Sequence, residues 1–239
     1  MCSRNTFPNL KELKKILQEG VDINFTNEKG LTPLLCLTAE KKIGPDNLIE
    51  IFQLLIQHKI DVNYKDNAGW NALITLCRYY QNENLIEIIK ILIRHGIDVN
   101  CKINGGWNAL SLLCRCYQNE NLIDIIRLLI GNGIDVECKR NNGWNALTLL
   151  CQFYQNDNLI EIIKILIRHG IDVECKNNDG WNAVSLLCRY NQNENVIEIL
   201  RLLTEHGCEV TQFAYNQLFN NLQVKPEKRM KILQMIYKR

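Results

Sequence analysis

Four histidines, His58, His95, His169 and His206, are the candidates for general bases in this 239-residue chain. All four hold one recurring position, at the end of an apolar run and just before a glycine or, for His58, before Lys59. Thr75, Ser111, Ser185 and the cysteines are the candidate nucleophiles, yet no histidine exists outside that one position to activate them. No glycine-rich phosphate loop occurs. Catalysis would fall to carboxylates that already read as helix-capping residues, so the expectation is a non-enzyme without cofactor or small-molecule substrate.

Eleven cysteines raise the question of disulfides or zinc, and their placement argues against both. Cys77, Cys114, Cys151 and Cys188 share one recurring position, and Cys101, Cys138 and Cys175 share another. The first set follows Leu-rich runs, where a thiol behaves as a small buried hydrophobe. There is no CxxC pair, and Cys114/Cys116 is the only close one. Metal-ligand spacings are therefore absent. Reduced packing thiols fit a cytoplasmic or nuclear protein.

The residues suited to recognition are of another kind. Trp70, Trp107, Trp144 and Trp181 each directly follow a glycine. Tryptophan is the residue type most enriched in binding hot spots, but four equal copies also suit packing between neighbouring units. Further on stand Arg78-Tyr79-Tyr80, Arg115-Cys116-Tyr117, Gln152-Phe153-Tyr154 and Arg189-Tyr190-Asn191. Arginine beside aromatics suits proteins, acidic peptides or phosphates. These residues vary while their apolar frame stays fixed, as a tailored surface would, and as unconstrained drift would too. The turns vary likewise, with Ile103 and Arg140 expected to be exposed there. Lys65, Lys102, Lys139 and Lys176 form a row just before the turns, but Glu137 and Glu174 partly cancel it, which disfavours nucleic acid.

What positions these residues is a repeat. GWNALITLCRYYQNEN (69–84) returns at 106, 143 and 180, and residues 69–105 share 29 of 37 positions with 143–179. A period of that size marks a solenoid. Ala72, Leu73, Leu76 and Cys77 line one face of a helix expected from Asn71 to about Tyr80. Asn84 with Glu87 has capping-box spacing for a second helix, as do Asn121/Asp124, Asn158/Glu161, Asn195/Glu198, Asn47/Glu50 and Asn9/Glu12. LIEIIKILI follows, polar only at Glu87 and Lys90, so this helix is buried around most of its circumference. Gly96 ends it, and the alternating stretch IDVNCK leads to an Asn/Gly turn.

The chain resembles the ankyrin repeat family. GWNAL followed by IEIIKILIRHGIDVN parallels the family pattern, and GLTPLL at 30–35 keeps its Thr32-Pro33-Leu34 core. The resemblance implies an all-α helical solenoid with β-hairpin fingers. Its parts are a half repeat at 9–28, repeats at 29–68, 69–105, 106–142, 143–179 and 180–212, and a helical cap at 213–239 in a single domain 1–239. It also implies scaffold histidines bonded to nearby backbone, and a binding groove along the fingers and first helices. Partner-contacting residues would then be Trp70, Arg78, Tyr79, Ile103, Trp107, Arg115, Tyr117, Arg140, Trp144, Phe153, Trp181 and Arg189.

Two features depart from the family. Four extra residues per unit fall near YYQN, in the first helix or its loop. Thr-Pro becomes Asn-Ala in the later units, and the next family histidine becomes Ile74, Ser111, Thr148 or Ser185. The family's Thr–His network therefore does not carry over, and Asn71 and its equivalents could cap the first helix instead.

Bulk properties agree with a binding module. A net charge of +2 gives no strong pull toward nucleic acid or membrane. No apolar run reaches the roughly 18 residues of a spanning helix, and the N-terminus lacks a signal-like segment, so secretion is not expected. Charged KELKK and the Lys/Arg-bearing final segment suit polar ends of a stack. The expected partner is a protein and the favoured state a monomer. A nucleic-acid binder or self-associating scaffold is the alternative.

Overall fold

Asn-Ala after each tryptophan starts a short helix, and the apolar run after QNEN or QNDN makes a second. The computed structural model describes residues 10–39, 45–190, 195–220 and 226–237. It begins with α1 (Leu10–Gln18), α2 (Pro33–Ala39) and α3 (Pro45–Gln57). The near-identical pairs follow: α4 (Ala72–Tyr79) with α5 (Leu85–Arg94), α6 (Ala109–Cys116) with α7 (Leu122–Gly131), α8 (Ala146–Phe153) with α9 (Leu159–Arg168), and α10 (Ala183–Tyr190) with α11 (Val196–Glu205). Helices α12 (Gln212–Asn220) and α13 (Pro226–Tyr237) complete the described chain. Asn9 and Asn191 lie outside the described residues.

First helices start where one amide does two jobs. Asn108 accepts from the Ser111 backbone N–H (2.9 Å) while its own N–H donates to Ser111 Oγ (3.0 Å), closing a capping box. The Nδ2 of the same side chain donates to the Asp135 carbonyl in the next unit (3.1 Å). Asn145 with Thr148 and Asp172, and Asn182 with Ser185 and Glu209, repeat this arrangement. Thr32 caps α2 with a short hydroxyl, whose Oγ1 accepts from the Leu35 N–H at 3.4 Å. Replacing Thr-Pro by Asn-Ala thus adds a donor that reaches across the stack.

Second helices begin differently from the expectation. Asn84 has φ −76° and ψ 4°, not the extended conformation of a side-chain cap, and makes no such cap bond. Its Oδ1 instead accepts from Tyr80 Oη at 2.6 Å. Asn121, Asn158 and Asn195 likewise make no side-chain cap bond, and Asn47 lies inside α3. The other ends follow the sequence closely. Gly96, at φ 79°, donates to Ile93 O (3.0 Å) while Ile97 donates to Leu92 O (3.1 Å), a Schellman closure.

Packing then follows from the apolar faces. In α5, Leu85, Ile88, Ile89 and Leu92 are buried, joining Leu73, Leu76 and Cys77 of α4 in one core that continues from unit to unit. Each fully buried Leu or Ile contributes about 1.5–3 kcal/mol. Helices α4, α6, α8 and α10 pack closely along their row, whereas α5, α7, α9 and α11 touch one another less. The stack therefore curves with the first helices on its inner side.

The units are also clamped through polar side chains. Asn63 donates to Gly96 O (2.7 Å) and accepts from Asp98 N (2.6 Å), and Asn100 does the same with Gly133 O (2.8 Å) and Asp135 N (2.7 Å). Glu137 and Glu174 replace those asparagines and keep only the acceptor half, toward Asp172 N and Glu209 N. Between units the expected β-hairpin fingers are single closed turns. Among the described residues no strand forms, and Ile103–Trp107 is an isolated bridge.

Candidate functional site

A helix of eight residues is about 12 Å long, short enough for a tryptophan at its start to meet a side chain at its end. Trp70 and Tyr79, at opposite ends of α4, stack with ring centroids 5.9 Å apart and planes at 17°. Trp181 and Tyr190 repeat this across α10 at 5.8 Å, and Phe213 meets Trp181 edge-on at 4.7 Å. The indoles thus lie along the first helices. The expectation that each would pack on the next finger holds in part, since Arg140 of the following turn covers Trp107 at 3.5 Å. Trp144 is half-buried against the core, and its carbonyl closes its turn by accepting from Arg140 N (2.8 Å).

Arginine fills the spaces between rings. Arg78 lies 5.7 Å from the Tyr79 centroid and donates to Cys116 Sγ of the next unit at 2.7 Å. Arg115 sits between Trp107 (5.4 Å) and Phe153 (4.9 Å), and Arg189 lies 6.0 Å from Tyr190. Burial and neighbouring Arg115 hold the Arg140 guanidinium below its usual pKa. Along the band from Tyr79 to Phe213, contacts cross from one unit or turn to the next at Arg78–Cys116, Trp107–Arg140, Arg115–Phe153 and Trp181–Phe213. Trp70, Arg78, Tyr79, Trp107, Arg115, Arg140, Phe153, Trp181 and Arg189 all belong to it.

Two of the expected contact residues are placed otherwise. Tyr117 is fully buried: its hydroxyl donates to Asn82 O (3.0 Å) and lies 2.8 Å from Asn121 Oδ1. It serves the stack and offers no surface. Tyr154 has the same environment, with Asn119 O and Asn158 Oδ1 as partners. Ile103, expected to be exposed, is half-buried against the core and lies beside Gly69, so it seals the joint between two turns.

The lysine row is occupied. Lys65, Lys102, Lys139 and Lys176 pair with Asp98, Asp135, Asp172 and Glu209 of the following unit at 2.8–3.4 Å. Hydrogen bonding to its acidic partner is the main cause that raises the pKa of Lys102, Lys139 and Lys176. Histidines sit at helix ends: Nδ1 of His58 and of His206 donates to Leu54 O (2.9 Å) and Leu202 O (2.8 Å), and Asn132 Nδ2 makes the same bond to Leu128 O (2.7 Å).

Sequence reasoning missed an asparagine ladder on the long loops. Asn121 and Asn158 donate to Glu83 O and Glu120 O at 2.7 Å, while Asn119 and Asn156 donate to Gln81 O and Gln118 O. The four extra residues thus build the loop after the first helix, whose carbonyls the next unit ties down. This ladder borders an open polar recess of about 600 Å³ near Glu83, Asn119 and Glu120. The recurring Tyr-x-x-x-Asn spacing (Tyr80/Asn84, Tyr117/Asn121, Tyr154/Asn158) was the signal for it.

None of the ten described cysteines is in a disulfide, and burial pushes the Cys77, Cys114, Cys151 and Cys188 thiols up, the last to about 12. Cys101, Cys138 and Cys175 point their thiols at the turn carbonyls of Gly69, Gly106 and Gly143 (3.1–3.5 Å). Among the described residues no helix is long and apolar enough to cross a membrane.

Comparison with known proteins places this geometry. Residues 1–103 and 112–214 match the family model of ankyrin repeats in three copies. A solved ankyrin repeat domain from Acinetobacter baumannii is 24% identical, with a TM-score of 0.65 over 83% of this chain and 93% of that one. No curated protein matches the chain.

Proposed function

The chain belongs to the ankyrin repeat family, and from that premise we propose that it binds a protein partner through the inner band of first-helix ends and finger bases, without chemistry of its own. Ankyrin repeats are generally protein–protein interaction modules. One observation carries the assignment to this band. Of the five large apolar side chains exposed among the described residues, three, Tyr79, Tyr190 and Phe213, lie on it. They are interleaved with arginine, the composition enriched at protein interfaces. The stack already holds the band in place, so docking loses little conformational entropy.

Nucleic acid fits less well, because a phosphate chain draws on a run of uncompensated cations and the lysine row beside the band is ion-paired. Mostly buried thiols outside any disulfide accord with a reducing cytoplasmic or nuclear compartment, and a monomer with adaptor, inhibitor or effector activity is the corresponding form. The test is affinity capture from extract of the source cells with the wild type and a Y79S/Y190S variant. Both side chains are exposed, and circular dichroism checks that the variant is folded; the variant is expected to lose the captured proteins. Identical captured sets would refute the band as the binding surface.

A further inference from the structure

Partner chemistry is written at Trp107. Where a tyrosine ends the first helix it packs on the indole of its own unit, as Tyr79 does on Trp70 and Tyr190 on Trp181. Cys116 holds that position beside Trp107 and is too short to cover the ring. Two guanidinium groups attend the indole instead, Arg140 at 3.5 Å and Arg115 at 5.4 Å from its centroid. The combination is unique in the array, since Ile103 and Asn177 hold the place of Arg140, and Gln152 holds that of Arg115 one unit later.

Charge compensation separates these arginines from the lysines beside them. Lys102 and Lys139 each pair with an aspartate of the next unit. Among the described residues neither Arg115 nor Arg140 has a carboxylate partner, and Arg140 Nε is buried without a hydrogen-bond partner. Two like charges beside one ring repel, and an anion between them relieves the repulsion. A guanidinium lying on an aromatic face keeps its edge N–H groups free for a carboxylate fork.

We propose that Arg115 and Arg140, set around the Trp107 indole, form a carboxylate-binding site that takes an acidic segment of the protein partner. The proposal rests on the protein-binding reading and adds the chemistry of the bound segment. Two uncompensated charges between already neutralised lysines suit one or two carboxylates rather than a phosphate polymer.

Fluorescence anisotropy of a fluorescein-labelled hexaglutamate peptide, titrated with the full chain at low salt, tests it. The wild type binds saturably, and R115Q/R140Q binds about tenfold or more weakly. K11Q/K14Q removes the same net charge from exposed positions on α1 and leaves affinity unchanged. R115K/R140K keeps the charge but lacks the planar stacking, and falls between. Circular dichroism confirms that each variant is folded. The site is refuted if the wild type does not bind, if R115Q/R140Q binds like the wild type, or if K11Q/K14Q weakens binding equally. Tighter, Arg115/Arg140-dependent binding of an oligothymidylate would refute the carboxylate assignment in favour of a polyanion. Should peptide binding ignore Arg115 and Arg140 while capture still depends on Tyr79 and Tyr190, this site fails and the broader reading survives.

Discussion

Asn108 holds the start of its own helix with one end of its amide and the Asp135 carbonyl of the next unit with the other. At 1% exposure neither half can be replaced by water. The two halves are separable by substitution. N108T keeps a cap acceptor but loses the donor, leaving the Asp135 carbonyl short of a partner at about 1–2 kcal/mol. N108A loses both and is expected to cost about 2–4 kcal/mol. Urea denaturation measures the order, and equal losses would show that the inter-unit bond contributes nothing.

Two glycines isolate the closeness of successive turns. Gly106 and Gly133 share the same left-handed backbone, at φ 78° and 79°. A Cβ at Gly133 meets open space, whereas one at Gly106 would come within 2.9 Å of Arg140 Cα and Lys139 O. G133A therefore costs only the conformational strain, about 1–2 kcal/mol. G106A adds a backbone clash that nothing flexible can relieve, raising the loss to about 3 kcal/mol or more. Similar melting temperatures for the two variants would contradict the turn-to-turn contact.

Alkaline pH should loosen the stack through its thiols. Burial raises the pKa of Cys77, Cys114, Cys151 and Cys188 above the ordinary value of 9.0. The folded state then holds protons that the unfolded chain releases, so this stability is complete below pH 9 and declines as pH rises toward about 12. C188A lowers stability at neutral pH by about 1 kcal/mol through lost packing, and its stability declines less steeply above pH 9. Urea midpoints for wild type and C188A at about pH 7.5 and pH 10 check this. Parallel declines would exclude Cys188 as a contributor.

The fold was legible because its signals are local and repeated. Apolar spacing, the Asn-Ala start of the first helix and the Gly96 closure each depend on a few neighbouring residues. Asn84 was misread because Asn-x-x-Glu spacing carries no information on backbone angle, and its φ and ψ are helical-turn values that a side-chain cap does not use. Tyr117 was misplaced for a related reason. Its neighbours Arg115 and Cys116 vary between units, but position 117 turns inward to a carbonyl 35 residues earlier, a contact no local pattern contains. The partner of Lys102 was not legible for the same cause, since Asp135 lies 33 residues away.

At the site, the sequence supplied the residue types but not their pairing. That Tyr79 covers Trp70 whereas Cys116 leaves Trp107 to two arginines depends on how indoles lie along eight-residue helices. Packing between units decides that.

Site-specific photo-crosslinking tests the central claim most directly. A benzoylphenylalanine placed at Tyr79 or at Phe153, both on the inner band, should yield a covalent adduct with a partner protein in extract of the source cells. The same residue at Arg127, exposed on α7 in the outer row, should yield none. Adducts from Arg127 in the absence of any from Tyr79 and Phe153 would place binding on the outer helices and contradict the account.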